Sequence, residues 1–496
     1  MNIKITCNYL GKILLLVAAL LVLSLGVALL YAEWLPALGF GVTIAIMAVL
    51  GVLLTRVKTE DKAIYAREGF IIVSLSWVVV SMLGALPFVI SGEIPSYLDA
   101  VYETVSGLTT TGASVLSDVE CLSRSILFWR SFLHWMGGLG ILVFIIAIAP
   151  LGKGNGMSLH ILRAESTGPT VDKITPKIHS SARILYAIYF GLTLTETILL
   201  LCGGMTLFEA FTLSMGTAGT GGFALLNTGI ASYSSYCQIV IAIYMMLFGI
   251  NFNIYYLMIL REFRQVRKNG EFKTYLCIVG AATAVITANI AHLYNSFGEA
   301  LKHSFFQVNA IITTTGYSTA NFDAWPELSK FILVALMMLG ACAGSTGGGL
   351  KVTRAILLLK SLKAELKRML HPQSVVTVKQ DSKPVEQETL NRVTVYFSTL
   401  IIIAIVSVFV VSFAGYDFTT NVTAVIANIN NIGPGLNLVG PTCNYGFFPF
   451  YAKIVLIFDM LVGRLEIFPM LMLFSPAVWK RRIWSRKTPS NSLTNS

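Results

Sequence analysis

Apolar runs long enough to cross roughly 30 Å of hydrocarbon recur along the whole chain. Two come first, at 10–31 and 35–55, and predict a helical hairpin. The first run is too long for the apolar core of a secretory signal and has no small-residue cleavage site, so it is read as a retained helix. Beyond it the pattern becomes a recurring phrase of long apolar run, half-length amphipathic run, polar turn and second long run. The first phrase predicts a span at 68–91, a short helix at 97–108, a turn at 109–114 and a span at 124–150. The second predicts a span at 182–203, a short helix at 206–216, a turn at 219–223 and a span at 237–260. The third runs 274–296, 299–311, 313–318 and 328–362, and the fourth 393–415, 418–430, 431–435 and 450–478.

The turns share a vocabulary. Thr-Thr-Thr-Gly-Ala-Ser stands at 109–114 and Thr-Thr-Thr-Gly-Tyr-Ser at 313–318, with looser versions around Thr220-Gly221-Gly222 and Asn431-Ile432-Gly433. Their glycines, Gly112, Gly222, Gly316 and Gly433, are 110, 94 and 117 residues apart, an internal repeat. The half-length helices cannot cross a bilayer, and non-helical backbone at that depth is tolerated only where protein buries it or a wet cavity meets it. The four turns are therefore expected to meet at one water-filled axis. The expected fold is an all-α polytopic membrane protein: four helix–pore-loop–helix repeats around a pseudo-fourfold pore plus an N-terminal two-helix hairpin, with ten full spans and four re-entrant half-helices. Its expected divisions are a hairpin at 1–56, pore repeats at 57–152, 153–262, 263–371 and 372–480, and a basic, polar cytoplasmic tail at 481–496.

Composition agrees with lipid as the solvent. Of the 496 residues, 55% are hydrophobic and only 12% charged, against about 25% charged in soluble domains; the mean hydropathy is +0.73. The net charge of +11 could point to nucleic acid, but its distribution points elsewhere. The segments 56–67, 153–183, 261–273, 351–392 and 480–487 hold 28 of the 36 Lys and Arg residues. The segments 92–123, 204–236, 297–327 and 416–448 hold one basic residue, Lys302, against ten acidic ones. This is the positive-inside pattern; it predicts cytoplasmic termini in a multi-pass protein of the cell inner membrane, with anionic lipid or a cytosolic partner as a second use of the basic face and no nucleic acid. Seven scattered cysteines without a C-x-x-C show no metal or redox framework. A disulfide among Cys121, Cys237 and Cys443, on the expected outer side, is one further possibility.

A Thr-Thr-Thr-Gly turn leaves backbone carbonyls free to point to one side, because glycine permits positive φ and close approach. Rings of such carbonyls can replace the hydration shell of a cation, and the half-helices aim their negative C-terminal ends at the same place. The expected ion-binding filter residues are Thr110, Thr111 and Gly112; Thr220, Gly221 and Gly222; Thr314, Thr315 and Gly316; and Asn431, Ile432 and Gly433. Glu93, Asp99, Glu103, Asp118 and Glu120 are expected to form an acidic outer mouth that concentrates cations. The third repeat departs from the others. Its last span carries Gly344, Ser345, Thr346, Gly347, Gly348 and Gly349, which a helix at mid-membrane sustains only at a cost of roughly 1 kcal/mol per glycine. Residues 340–350 are read as an intramembrane gating loop, with a plain kinked helix as the other reading. A phosphate-binding loop is disfavoured because Gly349-Leu350-Lys351 lacks the G-K-[ST] spacing and no strand precedes it.

Arg464 falls inside the last span. An intramembrane arginine implies a wet cavity or a partner. It is read as an electrostatic barrier below the filter, and pairing with Asp459, Glu466 or the 340–350 loop is the structural alternative. Trp135–Gly140 reads as close helix packing and His134 as a packed histidine. The Asn421 sequon falls in a half-helix and is not read as a glycosylation site. An enzyme would need a clustered constellation, whereas His134, Glu196 and Asp459 are scattered.

These residues resemble a known family. The four turns, with Ala343–Lys351, Gly463–Glu466, Trp135–Gly140 and the run Arg163–Pro169, are similar to TrkH-type subunits of the Trk/Ktr/HKT potassium uptake superfamily over nearly the whole chain, and the N-terminal hairpin favours the Trk branch. The resemblance implies K+ (and Rb+) as the transported ion, a filter at the four glycines, a gate made of the 340–350 loop and Arg464, and channel-like or H+-coupled transport. It also implies a homodimer, and a cytosolic nucleotide-binding (RCK-type) regulatory ring on the basic inner face, whose nucleotide belongs to the partner and not to this chain. A Na+-conducting relative of the same fold is the alternative, since some plant relatives with Ser in the first turn favour Na+. The second turn departs from the family pattern at Ala224-Leu225-Leu226, where relatives are more polar.

Overall fold

The computed structural model describes residues 3–57, 66–140, 178–381 and 383–479. The second half of the expected 124–150 span, most of the 151–181 linker, the run Arg163–Pro169 and the 481–496 tail lie outside the described residues.

Helices α1 (Ile3–Leu30) and α2 (Trp34–Thr55) form an antiparallel hairpin. It closes tightly because glycines face backbone: a Cβ on Gly11 would lie 2.7 Å from the carbonyl oxygen of Gly51 and 2.9 Å from Cβ of Leu54. Small residues that let backbones approach are a principal source of helix association in lipid. The Asn8 amide donates to the carbonyl of Thr55 at 2.8 Å, satisfying one orphan group at the C-terminus of α2. Val22, Leu23, Trp34, Leu35 and Leu38 stay exposed on its outer side.

The following elements are α3 (Ala66–Gly84), α4 (Leu86–Ile90), α5 (Tyr97–Leu108) and α6 (Arg124–Leu139), then α7 (Ile178–Cys202), α8 (Leu207–Gly219), α9 (Ser235–Phe248), α10 (Phe252–Ile259) and α11 (Phe263–Lys268). After these come α12 (Gly270–Ile290), α13 (Phe297–Ile312), α14 (Glu327–Leu339) and α15 (Val352–Leu370), then α16 (Gln387–Ser412), α17 (Phe418–Ile429), α18 (Phe450–Arg464) and α19 (Phe468–Leu473). A small antiparallel pair, Lys379–Gln380 with Lys383–Pro384, is the one sheet among the described residues. Six described helices are long and apolar enough to cross a membrane, or seven when the bent pair α9–α10 is taken as one span.

The four short helices start alike. The side chains of Ser96, Thr206, Ser296 and Asp417 accept the backbone N–H three residues on, from Asp99 (3.4 Å), Glu209 (3.3 Å), Glu299 (3.1 Å) and Thr420 (3.0 Å). Each is an N-cap, and Thr206 with Glu209 forms a full capping box. Each short helix buries most of its C-terminal half: α8 is buried from Thr212 to Gly219, and α13 from Phe306 to Ile312. The C-terminal ends of all four therefore point into the centre of the bundle.

Three expected spans are broken. The 237–260 span bends by 90° between α9 and α10, because Gly249 is followed by Asn251, whose side chain caps α10 by accepting the N–H of Asn253 at 2.9 Å. The 328–362 span stops at Leu339 and resumes at Val352. The 450–478 span stops at Arg464, where Glu466 and Ile467 take left-handed φ values of 63° and 60° before α19 begins. That conformation is an outlier for a β-branched residue.

The hairpin packing makes a testable difference. Gly11→Leu should destabilise the detergent-solubilised protein by about 1–3 kcal/mol through overpacking, read as a lowered thermal midpoint. Gly26→Ala, at a position with open space around it, should leave the midpoint unchanged.

Candidate functional site

Each short helix ends in the same backbone device. Thr110, Thr220, Thr314 and Asn431 adopt left-handed φ of 57°, 55°, 59° and 56°. The N–H groups of these four donate three residues back, to the carbonyls of Gly107, Thr217, Ile311 and Asn428 at 3.0–3.2 Å. The next N–H, from Thr111, Gly221, Thr315 and Ile432, donates five residues back to Ser106, Gly216, Ala310 and Ala427 at 2.8–2.9 Å. This is the Schellman pattern, but with Thr or Asn where glycine is usual. A left-handed β-branched residue costs energy and marks positions where surrounding structure enforces the geometry. The glycine then follows two residues on, again with positive φ: 79°, 80°, 78° and 94° at Gly112, Gly222, Gly316 and Gly433.

The four turns close on each other in cyclic order. A Cβ on Gly112 would collide with the carbonyl oxygen of Gly221, one on Gly222 with that of Thr315, and one on Gly316 with that of Ile432. A Cβ on Gly433 would sit 2.7 Å from the carbonyl oxygen of Thr111, completing the circle. Glycine is required here because the neighbouring loop's carbonyl occupies the space a side chain would need. The carbonyls of Thr111, Gly221, Thr315 and Ile432 thus abut the four glycines in turn. Side chains lock the ring from behind. Thr109 and Thr111 share a hydrogen bond at 2.8 Å, as do Thr313 and Thr315, and the Asn431 amide donates to Thr111 Oγ1 at 2.9 Å and to the Met460 carbonyl at 2.9 Å.

All four glycines line one vestibule of about 160 Å³, together with Arg130 and Cys443. Its rim carries belts between neighbouring loops: Tyr445 N–H to Ser114 O at 2.8 Å, Ile230 N–H to Ser318 O at 2.9 Å, and Asn437 N–H to Asp323 Oδ1 at 3.1 Å. The expected acidic mouth is reduced by pairing. Glu103 is buried in an ion pair with Arg130 at 2.7 Å, Asp99 pairs with Lys453 at 2.6 Å, and Glu93 accepts the N–H of Ser123 at 3.2 Å. Asp118 and Glu120 remain exposed. The Asn227 amide, donating to Asp118 at 2.7 Å, holds that carboxyl below the usual carboxylate range, so it stays charged.

The 340–350 segment packs directly against the ring. Gly348 N–H donates to Thr314 Oγ1 at 2.6 Å, and a Cβ on Gly347 would lie 2.9 Å from the Thr313 carbonyl oxygen. Two breaks satisfy one another here: Cys342 N–H donates to Gly249 O at 3.1 Å, and Phe252 N–H to Gly344 O at 3.0 Å. Buried Glu271 accepts the N–H of Ala343 at 2.7 Å. The Ser345 hydroxyl donates to Cys342 O at 2.6 Å and that of Thr346 to Phe248 O at 3.3 Å, while Lys351 Nζ donates to Gly347 O. Gly349 has a φ of 76° and abuts Gly340 at the neck of the loop.

Arg464 joins this loop to the end of α6. Its Nη1 donates to Thr346 O at 2.8 Å, and its Nη2 to the carbonyls of Gly137 and Gly138 at 2.5 Å each. Of its expected alternative partners, the loop is thus one it contacts. Glu466 forms a salt bridge with Arg354, and Asp459 accepts from Ser407 at 2.7 Å.

Two residues of the ring's support were missed or misread in the sequence. Arg130 lies in an expected span and satisfies the same rule that singled out Arg464. His134, read as a packed histidine, is buried and also bonds the second polar turn: Phe223 N–H donates to its Nε2 at 3.2 Å. All seven cysteines are free thiols, with Cys237 buried. Asn421 is buried and donates its amide to Tyr416 O at 2.9 Å.

Apolar helices on the outside and a ring of polar turns within define a multi-pass membrane protein. The family model described as cation transport protein, TrkH, matches residues 38–485, and the chain belongs to that family. It is similar to the "Trk system potassium uptake protein TrkH" of Salmonella typhimurium, 34% identical over 488 residues, 97% of this chain and 100% of the relative. The Vibrio parahaemolyticus protein of the same title is 36% identical over 423 residues, 84% of this chain and 86% of the relative. The crystal structure titled "Potassium Transporter TrkH from Vibrio parahaemolyticus" superposes with a TM-score of 0.86 at 32% identity, covering 97% of this chain and 100% of that one. The relatives are transporters by title, and the chain is a transport protein, not an enzyme.

Thr314→Val keeps the side-chain shape but removes the acceptor of Gly348 N–H. A buried unsatisfied donor costs about 1–3 kcal/mol. Amide exchange over 341–350 should quicken relative to wild type, and unchanged exchange would show that other contacts hold the loop.

Proposed function

We propose that this chain takes up K+ across the cell inner membrane through the ring formed by Thr110–Gly112, Thr220–Gly222, Thr314–Gly316 and Asn431–Gly433. The single observation that carries the reading is the cyclic closure, in which each glycine abuts a carbonyl of the next turn. In this reading α3–α18 make four pseudo-equivalent repeats which, with the hairpin, give ten spans and four re-entrant halves. A cation arriving at the vestibule exchanges water for carbonyl oxygens, favoured by the negative ends of four short helices. Below the ring, the 340–350 loop and Arg464 obstruct the path and act as the gate: the loop is hydrogen-bonded to a filter threonine, and the guanidinium places a positive charge on the route.

The relatives' titles name potassium uptake, which favours K+ over the Na+ alternative, as do glycines in all four turns. The inner face fits a partner. Arg264, Arg267 and Lys268 cluster on α11, and Lys360, Lys363, Lys367 and Arg368 on α15. We assign to this face a cytosolic nucleotide-binding RCK-type ring, acting on a homodimer of this chain with both termini on that side.

Reconstitution into vesicles tests the reading. Wild type should accumulate Rb+, with K+ competing more strongly than Na+; an imposed potential and an imposed pH gradient, applied separately, distinguish channel-like from H+-coupled movement. Gly112→Ala should lower uptake at least about tenfold, the effect of about 1.4 kcal/mol on a barrier. Unaltered uptake would remove Gly112 from the filter. Arg464→Ala should raise uptake by about tenfold by the same arithmetic, and equal flux would leave Arg464 a purely structural tie.

A further inference from the structure

Two side chains one turn apart on α6 converge on the residue that follows the glycine of the second turn. The Arg130 guanidinium lies 4.0 Å from the centroid of the Phe223 ring, and the His134 ring is 4.3 Å from the same ring. His134 Nε2 accepts the Phe223 N–H at 3.2 Å, while Nδ1 is 2.8 Å from the carbonyl of Gly107. An acceptor at Nε2 and a carbonyl at Nδ1 fix the neutral tautomer with its proton on Nδ1. Arg130 is in turn held by Glu103, through Nη2 at 2.7 Å and Nε at 2.8 Å. Glu103 also accepts from the Ser114 hydroxyl at 3.0 Å and from Val115 N–H at 3.1 Å. Glu103 and His134 are fully buried, and Arg130 and Phe223 are 2% exposed.

These contacts run from the first short helix (Glu103, Gly107) and the exit of the first turn (Ser114, Val115) to the second turn at Phe223. They brace one junction of the ring, and Arg130 and Phe223 also line the vestibule above it. The junction between the second and third turns is braced differently, by the Tyr317 hydroxyl donating toward the carbonyls of Leu213 and Phe223 at 3.3 and 3.5 Å. We propose that Glu103, Arg130 and His134 are positioning residues that set the separation of the first and second turns, and so the discrimination of K+ from Na+. The inference rests on the transport reading above. Discrimination by a carbonyl ring depends on the spacing or the field of its oxygens, and either changes if one turn drifts. A desolvated cation over an aromatic face and a buried ion pair that is costly to break are rigid means of holding such a spacing.

The test measures Rb+ and Na+ uptake by the full-length protein in vesicles and takes their ratio. In Arg130→Met and His134→Leu the Rb+/Na+ ratio should fall by about tenfold, equivalent to about 1.4 kcal/mol of lost discrimination. His134→Gln, whose amide supplies one donor and one acceptor, should retain most of the wild-type ratio. Wild-type ratios in both disruptive variants would overturn the assignment. Should Arg130→Met fail to yield folded protein, Phe223→Leu decides, because it removes the aromatic face and leaves the Glu103–Arg130 pair intact; a wild-type ratio there also overturns the brace. Wild-type protein that carries no Rb+ would overturn the transport reading and this inference with it, whereas wild-type uptake with unshifted variants overturns the brace alone.

Discussion

The structure depends on one constraint: backbone N–H and C=O groups that leave a helix at membrane depth must find partners inside the protein. This chain leaves helical conformation there many times, in the four turns, at 249–251, across 340–351 and after Arg464. The departures are solved jointly. Cys342 N–H finds Gly249 O, and Phe252 N–H finds Gly344 O, so two broken helices share their orphan groups. Gly348 N–H finds the hydroxyl of Thr314 in the third turn. The carbonyls of Gly137, Gly138 and Thr346 find one guanidinium. None of these segments could keep its shape alone, which is why disturbing one is expected to reach the others.

That interdependence explains what was legible in the sequence. The N-terminal hairpin, the short helices and the turns follow from runs of apolar residues and from local chemistry, because caps and Thr-Gly turns act over three or four positions. The bend at 249–251 was not legible. Gly249 and Asn251 interrupt an otherwise continuous apolar run, and nothing local says that residues nearly a hundred positions later will take their hydrogen bonds. Glu103 looked like a mouth charge because its compensating Arg130 lies in the next helix. The left-handed threonines were equally hidden: local propensity disfavours them, and only the closed ring accounts for them.

The same logic separates two kinds of intramembrane arginine. Arg130 is paired with a carboxylate on the neighbouring short helix α5 and leans on an aromatic ring. Arg464 donates to carbonyls of segments distant in the chain, two of them in the last turn of α6. The C-terminal turn of a helix carries partial negative charge, so the end of α6 is a favourable place for the guanidinium.

Thr346, whose carbonyl accepts from Arg464, belongs to the 340–350 segment. That segment shares hydrogen bonds with Gly249, Phe252 and Thr314. A shift of that segment would act on Arg464 through Thr346 and on the ring through Thr314.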